Sequence, residues 1–133
     1  MQPMLSHVAG IDVHKEKITI TALMDSPDGK TAVHQFESPT FTDDLIKTGL
    51  KLLDLGVTHV AMESTGIFWK PIYHTWKPLG LSITLGNAYH LKNVPGRKTD
   101  MNDSHWIATL HRNGLIRPSY IPEQQYQELR LLT

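Results

Sequence analysis

Asp100 and Asp103 stand three residues apart, just behind the basic glycine-led string Gly96-Arg97-Lys98-Thr99. At i and i+3 of one helix they share a face and can address one point in space. Trp106, Ile107 and Leu110 follow on an apolar stripe that would seat such a helix on a core. Two acids at the head of a packed helix need water or a cation in front of them. Helix-end chemistry is the plainer account, with Thr99 or Asp100 as N-cap and acids favoured near the positive end of the dipole. The other acids bear on the choice.

Asp12 lies near the end of His7 to Val13, which reads as a short buried strand, and Glu63 follows the strand-like run Val57 to Met62. Open α/β sheets place their sites at the carboxyl ends of strands. With the helix crossing that edge, Asp12, Glu63, Asp100 and Asp103 would form a cluster of four carboxylates. Like charges disfavour one another, so such a cluster calls for a cation. Oxygen-only ligands in a chain without cysteine point to Mg²⁺ or Mn²⁺ rather than zinc. Two such ions about 4 Å apart suit in-line displacement at a phosphodiester. Each acid also has an ordinary reading, Asp12 as a polar strand end and Glu63 as a charge before the next helix. His14 reads as a hydrogen-bonding neighbour of Asp12, and His105 as a helix-surface residue. Arg97 and Lys98 would meet phosphates, or else form a solvated loop.

The elements that must position these residues follow from pattern. Lys17 to Met24 alternates as a half-buried strand, Ser26-Pro27-Asp28-Gly29 is a turn, and Thr31 to Phe36 returns as a third strand. Thr42 or Ser38 would cap a helix over Asp43 to Leu55, with Leu45, Ile46, Leu50, Leu53 and Leu55 as its apolar side and Gly56 as its stop. A second helix is predicted over Ile67 to Trp76 and a fifth strand over Leu81 to Leu85. Gly86 to Lys98 reads as a loop, and Gly114 ends the helix that carries the paired acids. Another helix begins at Glu123, with Tyr126, Leu129 and Leu132 on one stripe. The order predicts an α/β domain, a mixed five-stranded sheet flanked by helices.

The 133 residues suffice for one domain with a real core. The absence of cysteine excludes disulfides and fits a reducing compartment. No membrane-length apolar run occurs and the first ten residues carry no Lys or Arg, so a soluble cytoplasmic protein is expected. Zero net charge argues against a stand-alone nucleic-acid binder. The charge is unevenly spread, with five lysines against nine acids in residues 1–66 and eight basic residues against four acids in residues 67–133.

Gly10-Ile-Asp-Val-His-Lys15, Met62-Glu-Ser-Thr-Gly66, Pro95-Gly-Arg-Lys-Thr-Asp-Met-Asn-Asp103 and Glu128-Leu-Arg-Leu-Leu-Thr133 together resemble the N-terminal region of the DEDD-type insertion-sequence transposases. The resemblance runs over essentially the whole chain. It implies an RNase H-like (RuvC-like) fold whose acids Asp12, Glu63, Asp100 and Asp103 bind Mg²⁺. It further implies that Asn102 fills a variable position and that Trp106 belongs to the helix core. Members of the family continue into a coiled coil and a second domain whose serine attacks DNA, and they use a structured guide RNA. By that likeness residues 1–121 are the catalytic domain, residues 122–133 begin a helical linker, and the full-length protein is a homo-oligomer acting on DNA. Three alternatives remain: a self-sufficient Mg²⁺-dependent nuclease or Holliday-junction resolvase, an actin-like nucleotide-binding domain, and a non-catalytic RNA-binding or dimerisation module. The actin-like reading wants a second glycine-rich phosphate loop, which the chain does not offer.

Overall fold

The computed structural model describes residues 5–118. The alternating segments form the expected antiparallel meander of β1 (His7–Val13), β2 (Lys17–Asp25) and β3 (Thr31–Pro39). The Ser26–Gly29 turn closes through Gly29 N donating to Ser26 O at 3.0 Å. β4 (His59–Glu63) pairs in parallel with β1, and β5 (Ser82–Gly86) in parallel with β4. The sheet order is β3-β2-β1-β4-β5, so the two strands that carry Asp12 and Glu63 are neighbours near its middle. Helices α1 (Thr42–Asp54) and α2 (Trp69–Trp76), the latter extended by a 3-10 turn over Lys77–Leu79, make the crossovers. Two helices follow, α3 (Ala88–Asn93) and α4 (Asp103–Arg112). The helix predicted from Glu123 lies outside the described residues.

Strand alternation divides the sheet into two faces. Ala9, Ile11, Ile18, Ile20, Val60 and Met62 point to the side covered by α1 and α2, where Leu45, Leu52, Ile72 and Trp76 complete the larger core. Val8, Gly10, Asp12, Thr21, Ala61 and Glu63 take the alternate positions and face α4. On that side Ala61 packs with Leu91, Trp106, Ile107 and Leu110, and Val8 with Leu23 and Ala108. The predicted Trp106-Ile107-Leu110 stripe is thus buried as expected.

Several local expectations are corrected. The buried side of α1 is Leu45, Thr48, Gly49 and Leu52, while Ile46 and Leu50 are exposed. The cause is Trp76, whose indole lies so close to Gly49 that a Cβ there would stand 2.8 Å from Trp76 Cδ1, and whose Nε1 donates to Leu45 O at 2.7 Å. Neither Thr42 nor Ser38 caps α1. Phe41 is at its N-cap with no side-chain bond, and Ser38 is buried within β3. α2 begins at Trp69, leaving Ile67 exposed in the preceding turn. The segment read as loop, Gly86 to Lys98, contains α3, capped by the Asn87 side chain, which accepts from His90 N. Among the described residues no helix is long and apolar enough to cross a membrane.

Candidate active site

The position of α4 rests on Gly10. A Cβ at residue 10 would overlap the backbone N of Ala108 and the carbonyl O of Ser104. Only glycine lets the helix backbone lie directly on β1 at that point. The Ser104 hydroxyl is buried and bonded to Thr21 Oγ1 at 2.7 Å, pinning the same turn to β2. At the other end Leu5 N donates to Arg112 O at 3.1 Å. Arg112 also forms a fork on Asp25, Nε to Oδ2 at 3.0 Å and Nη2 to Oδ1 at 2.8 Å. The helix therefore runs antiparallel to β1, with its N-terminus toward the end of the strand that carries Asp12.

Asp12 and Glu63 come together through register. The last matched pair of β1 and β4 is Ile11 with Met62, so the next residues, Asp12 and Glu63, stand side by side on the α4 face. Asp103 is the first residue of α4, at the end overhanging them. Asp100 is not on that helix. It lies in the turn before it, and the N-cap is Asn102, whose Oδ1 accepts from His105 N at 2.9 Å and from Ser104 Oγ at 3.0 Å. Neither Thr99 nor Asp100 caps the helix, because Asn102 satisfies the first-turn donor instead. The position expected to be variable thus has a structural task.

Two of the acids have partners of their own. His14 Nε2 lies 3.1 Å from Asp12 Oδ2, the expected neighbour contact. Arg97 Nη2 donates to Asp103 Oδ1 and to Met101 O, each at 2.9 Å, so this arginine turns back onto the acid. Lys98 and Asp100 are exposed in the same turn. Among the described residues no three His, Asp or Glu side chains are grouped so as to hold a metal ion. The carboxylates that share a sheet face offer the oxygen chemistry that a hard cation requires, but the four do not close into a cage in this structure.

Two titrating groups at the opposite end of the sheet, by the C-terminus of α4, were not singled out by sequence. The Arg112 fork holds the Asp25 carboxyl below its ordinary pKa, with burial opposing and Thr31 assisting. His111 is buried on the α4 face at 7% exposure, its Nε2 without a hydrogen-bond partner and its ring centroid 6.3 Å from that of His59. Burial, helped by His59, lowers its pKa to about 4.

The profile of a transposase family, the DEDD transposases of the IS110 type, matches residues 9–133. The chain belongs to that family. No curated protein matches it. The fold of this transposase domain is similar to that of RuvC from Thermus thermophilus, with a TM-score of 0.58 at 13% identity, covering 85% of this chain and 99% of RuvC. T. thermophilus RuvC in complex with a Holliday junction substrate gives a TM-score of 0.57 with the same identity and coverage. The mixed sheet of the transposase domain is accordingly RNase H-like, as the motif resemblance implied.

Proposed function

We propose that this domain supplies the carboxylate part of a DNA phosphodiester-processing site in transposition. Asp12 and Glu63 hold one side of a Mg²⁺ or Mn²⁺ site, Asp103 and Asp100 close it from α4 and its leading turn, and Arg97 and Lys98 meet DNA phosphates. The observation that carries the reading is the register placing Asp12 beside Glu63 on the face over which α4 begins. Membership of a transposase family supports DNA as the substrate. A bound divalent cation would stabilise charge on the phosphodiester oxygens. The chain's own residues position that cation: Gly10 seats α4, Asn102 fixes its first turn, and Arg97 keeps Asp103 paired until another cation replaces it.

In this reading the attacking hydroxyl is a serine from a further domain, residues 1–121 are the catalytic unit, and a structured RNA selects the DNA. Calorimetric titration with Mn²⁺ tests the carboxylate site. Binding by the wild type that is lost in Asp12→Asn and Glu63→Gln is expected, and equal binding by all three proteins would sink it. A self-sufficient nuclease is a second reading, favoured by the extent of the structural match, since residues of this chain span 99% of RuvC. Incubation with supercoiled and branched DNA in Mn²⁺ separates the two. Nicking that disappears in Glu63→Gln would establish the second reading, and negligible cutting is expected from the first.

A further inference from the structure

The exposed aromatic side chains are gathered at one end of the sheet. Among the described residues the exposed large aromatics are Phe41 at 76%, Phe68 at 43% and Tyr89 at 80%. Phe41 follows β3, Phe68 follows β4 and Tyr89 follows β5. Each strand leaves the sheet at the end where Asp12 and Glu63 lie, as the pairs Lys17 with Pro39 and Glu63 with Gly86 show. The described tryptophans, by contrast, are all buried in the two cores.

These aromatics are held, not trailing. Thr40 Oγ1 donates to Lys15 O at 2.9 Å, tying the residue before Phe41 to the β1–β2 turn. Ser64 N donates to Gly86 O at 3.0 Å, joining the chain after β4 to the end of β5, and Trp69 Nε1 donates to Gly66 O at 3.0 Å across the turn that contains Phe68. Tyr89 rides on α3, which is anchored by buried Leu91 and by Trp106 Nε1 donating to Leu91 O at 3.1 Å. Asn93 Nδ2 closes the short helix onto Tyr89 O at 2.6 Å. A rigidly mounted, solvent-facing ring loses little conformational freedom when a flat partner covers it. Lys15, Lys92 and Lys98, all exposed at this end, add the positive charge that a phosphate backbone requires.

We infer that Tyr89, mounted on α3 on the α4 side of the sheet, forms a stacking platform for unpaired DNA bases next to the phosphodiester addressed by Asp12 and Glu63. The inference rests on the DNA reading above and deepens it: the preferred substrate is DNA with bases displaced from the duplex at the reacting step. Base–aromatic stacking tolerates any sequence, because every base has a π face. It would therefore select DNA structure and leave sequence choice to other parts of the assembly.

The test measures binding, in EDTA so that nothing is cut. The chain is titrated against a duplex and against the same duplex carrying a two-base unpaired 2-aminopurine segment, with anisotropy for affinity and 2-aminopurine quenching for stacking. The unpaired DNA should bind on the order of tenfold more tightly than the duplex. Tyr89→Ala should remove that preference and the quenching, Tyr89→Phe should keep both, and duplex affinity should stay unchanged. Val33→Ala, exposed but on β3 away from this end, serves as control. A preference that survives in Tyr89→Ala, or an equal loss for both DNAs, overturns the platform alone. Absence of 2-aminopurine quenching in the wild type overturns the platform, whereas the DNA-processing reading stands or falls on the Mn²⁺ titration of Asp12→Asn and Glu63→Gln.

Discussion

Arg97 Nη2 sits 2.9 Å from Asp103 Oδ1 and bonds the Met101 carbonyl at the same distance, so the acid heading α4 already has a cation beside it. The pair is exposed, and such pairs contribute about 0–1 kcal/mol. It is therefore easily exchanged. Arg97→Gln should tighten Mn²⁺ binding by the free domain by roughly two- to fivefold, since removing a competitor worth up to about 1 kcal/mol shifts an affinity by that order. Calorimetry on the two proteins decides it. Weaker binding in the variant would show that Arg97 orients Asp103 for the ion.

Asn102 and Asp100 make a matched contrast. Asn102→Ala removes the acceptor for His105 N and Ser104 Oγ and should cost about 1 kcal/mol. Asp100→Asn, in the turn outside the helix, should preserve or raise the melting temperature in EDTA, the behaviour of an acid kept for function. Thermal melts of both variants check this. A fall of many degrees for Asp100→Asn would mark it as structural.

Gly10→Ala should be among the most damaging single substitutions in the domain. The added Cβ meets backbone atoms of Ser104 and Ala108, which have no rotamer in which to retreat. A loss of about 3 kcal/mol or more is expected, read from urea denaturation. Gly29→Ala offers a comparison, because a Cβ there meets nothing within 4 Å and its positive φ is the one source of strain.

Acid should weaken the fold through His111. The unfolded chain protonates this imidazole near its ordinary 6.5, whereas the native state resists until about 4. Between those values the unfolded state binds more protons, so stability is full above about pH 6.5 and declines as pH falls toward 4. The whole decline from this group is at most about 3 kcal/mol. Melting temperatures from pH 7 to 4.5 should fall less in His111→Phe than in the wild type. Asp25, whose carboxyl the Arg112 fork holds below its usual range, stays ionised across that interval and does not confuse the comparison. Parallel curves would remove His111 from the account.

Much of the frame was legible because alternation and turn chemistry are local. The β1–β3 meander and the Trp106 stripe follow from short-range pattern. What was not legible depends on contacts distant in sequence. Nothing local to Gly10 signals that the backbone of Ala108 comes to rest on it. The burial of Gly49 rather than Leu50 on α1 reflects Trp76, twenty-seven residues downstream. α3 escaped notice because six residues with the single buried apolar side chain of Leu91 carry no measurable period. In the site, the types and strand-end positions of Asp12 and Glu63 were readable. The helix start was misplaced because Thr99, Asp100 and Asn102 are all competent caps, and only the packed geometry selects among them.

The three attachments of α4 have a mechanical corollary. Its first turn is bolted to β2 through Ser104, its middle lies on β1 at Gly10, and its last residue is clamped to Asp25 and Leu5. A helix held at three points resists sliding and pivoting. Any adjustment that draws Asp103 toward Asp12 and Glu63 therefore falls to the side-chain torsions of Asp103 and to the turn from Arg97 to Met101. In the proposed site the helix would be a stiff anvil and the turn its one adjustable jaw, with the rate of closing set by torsions rather than by the travel of a helix.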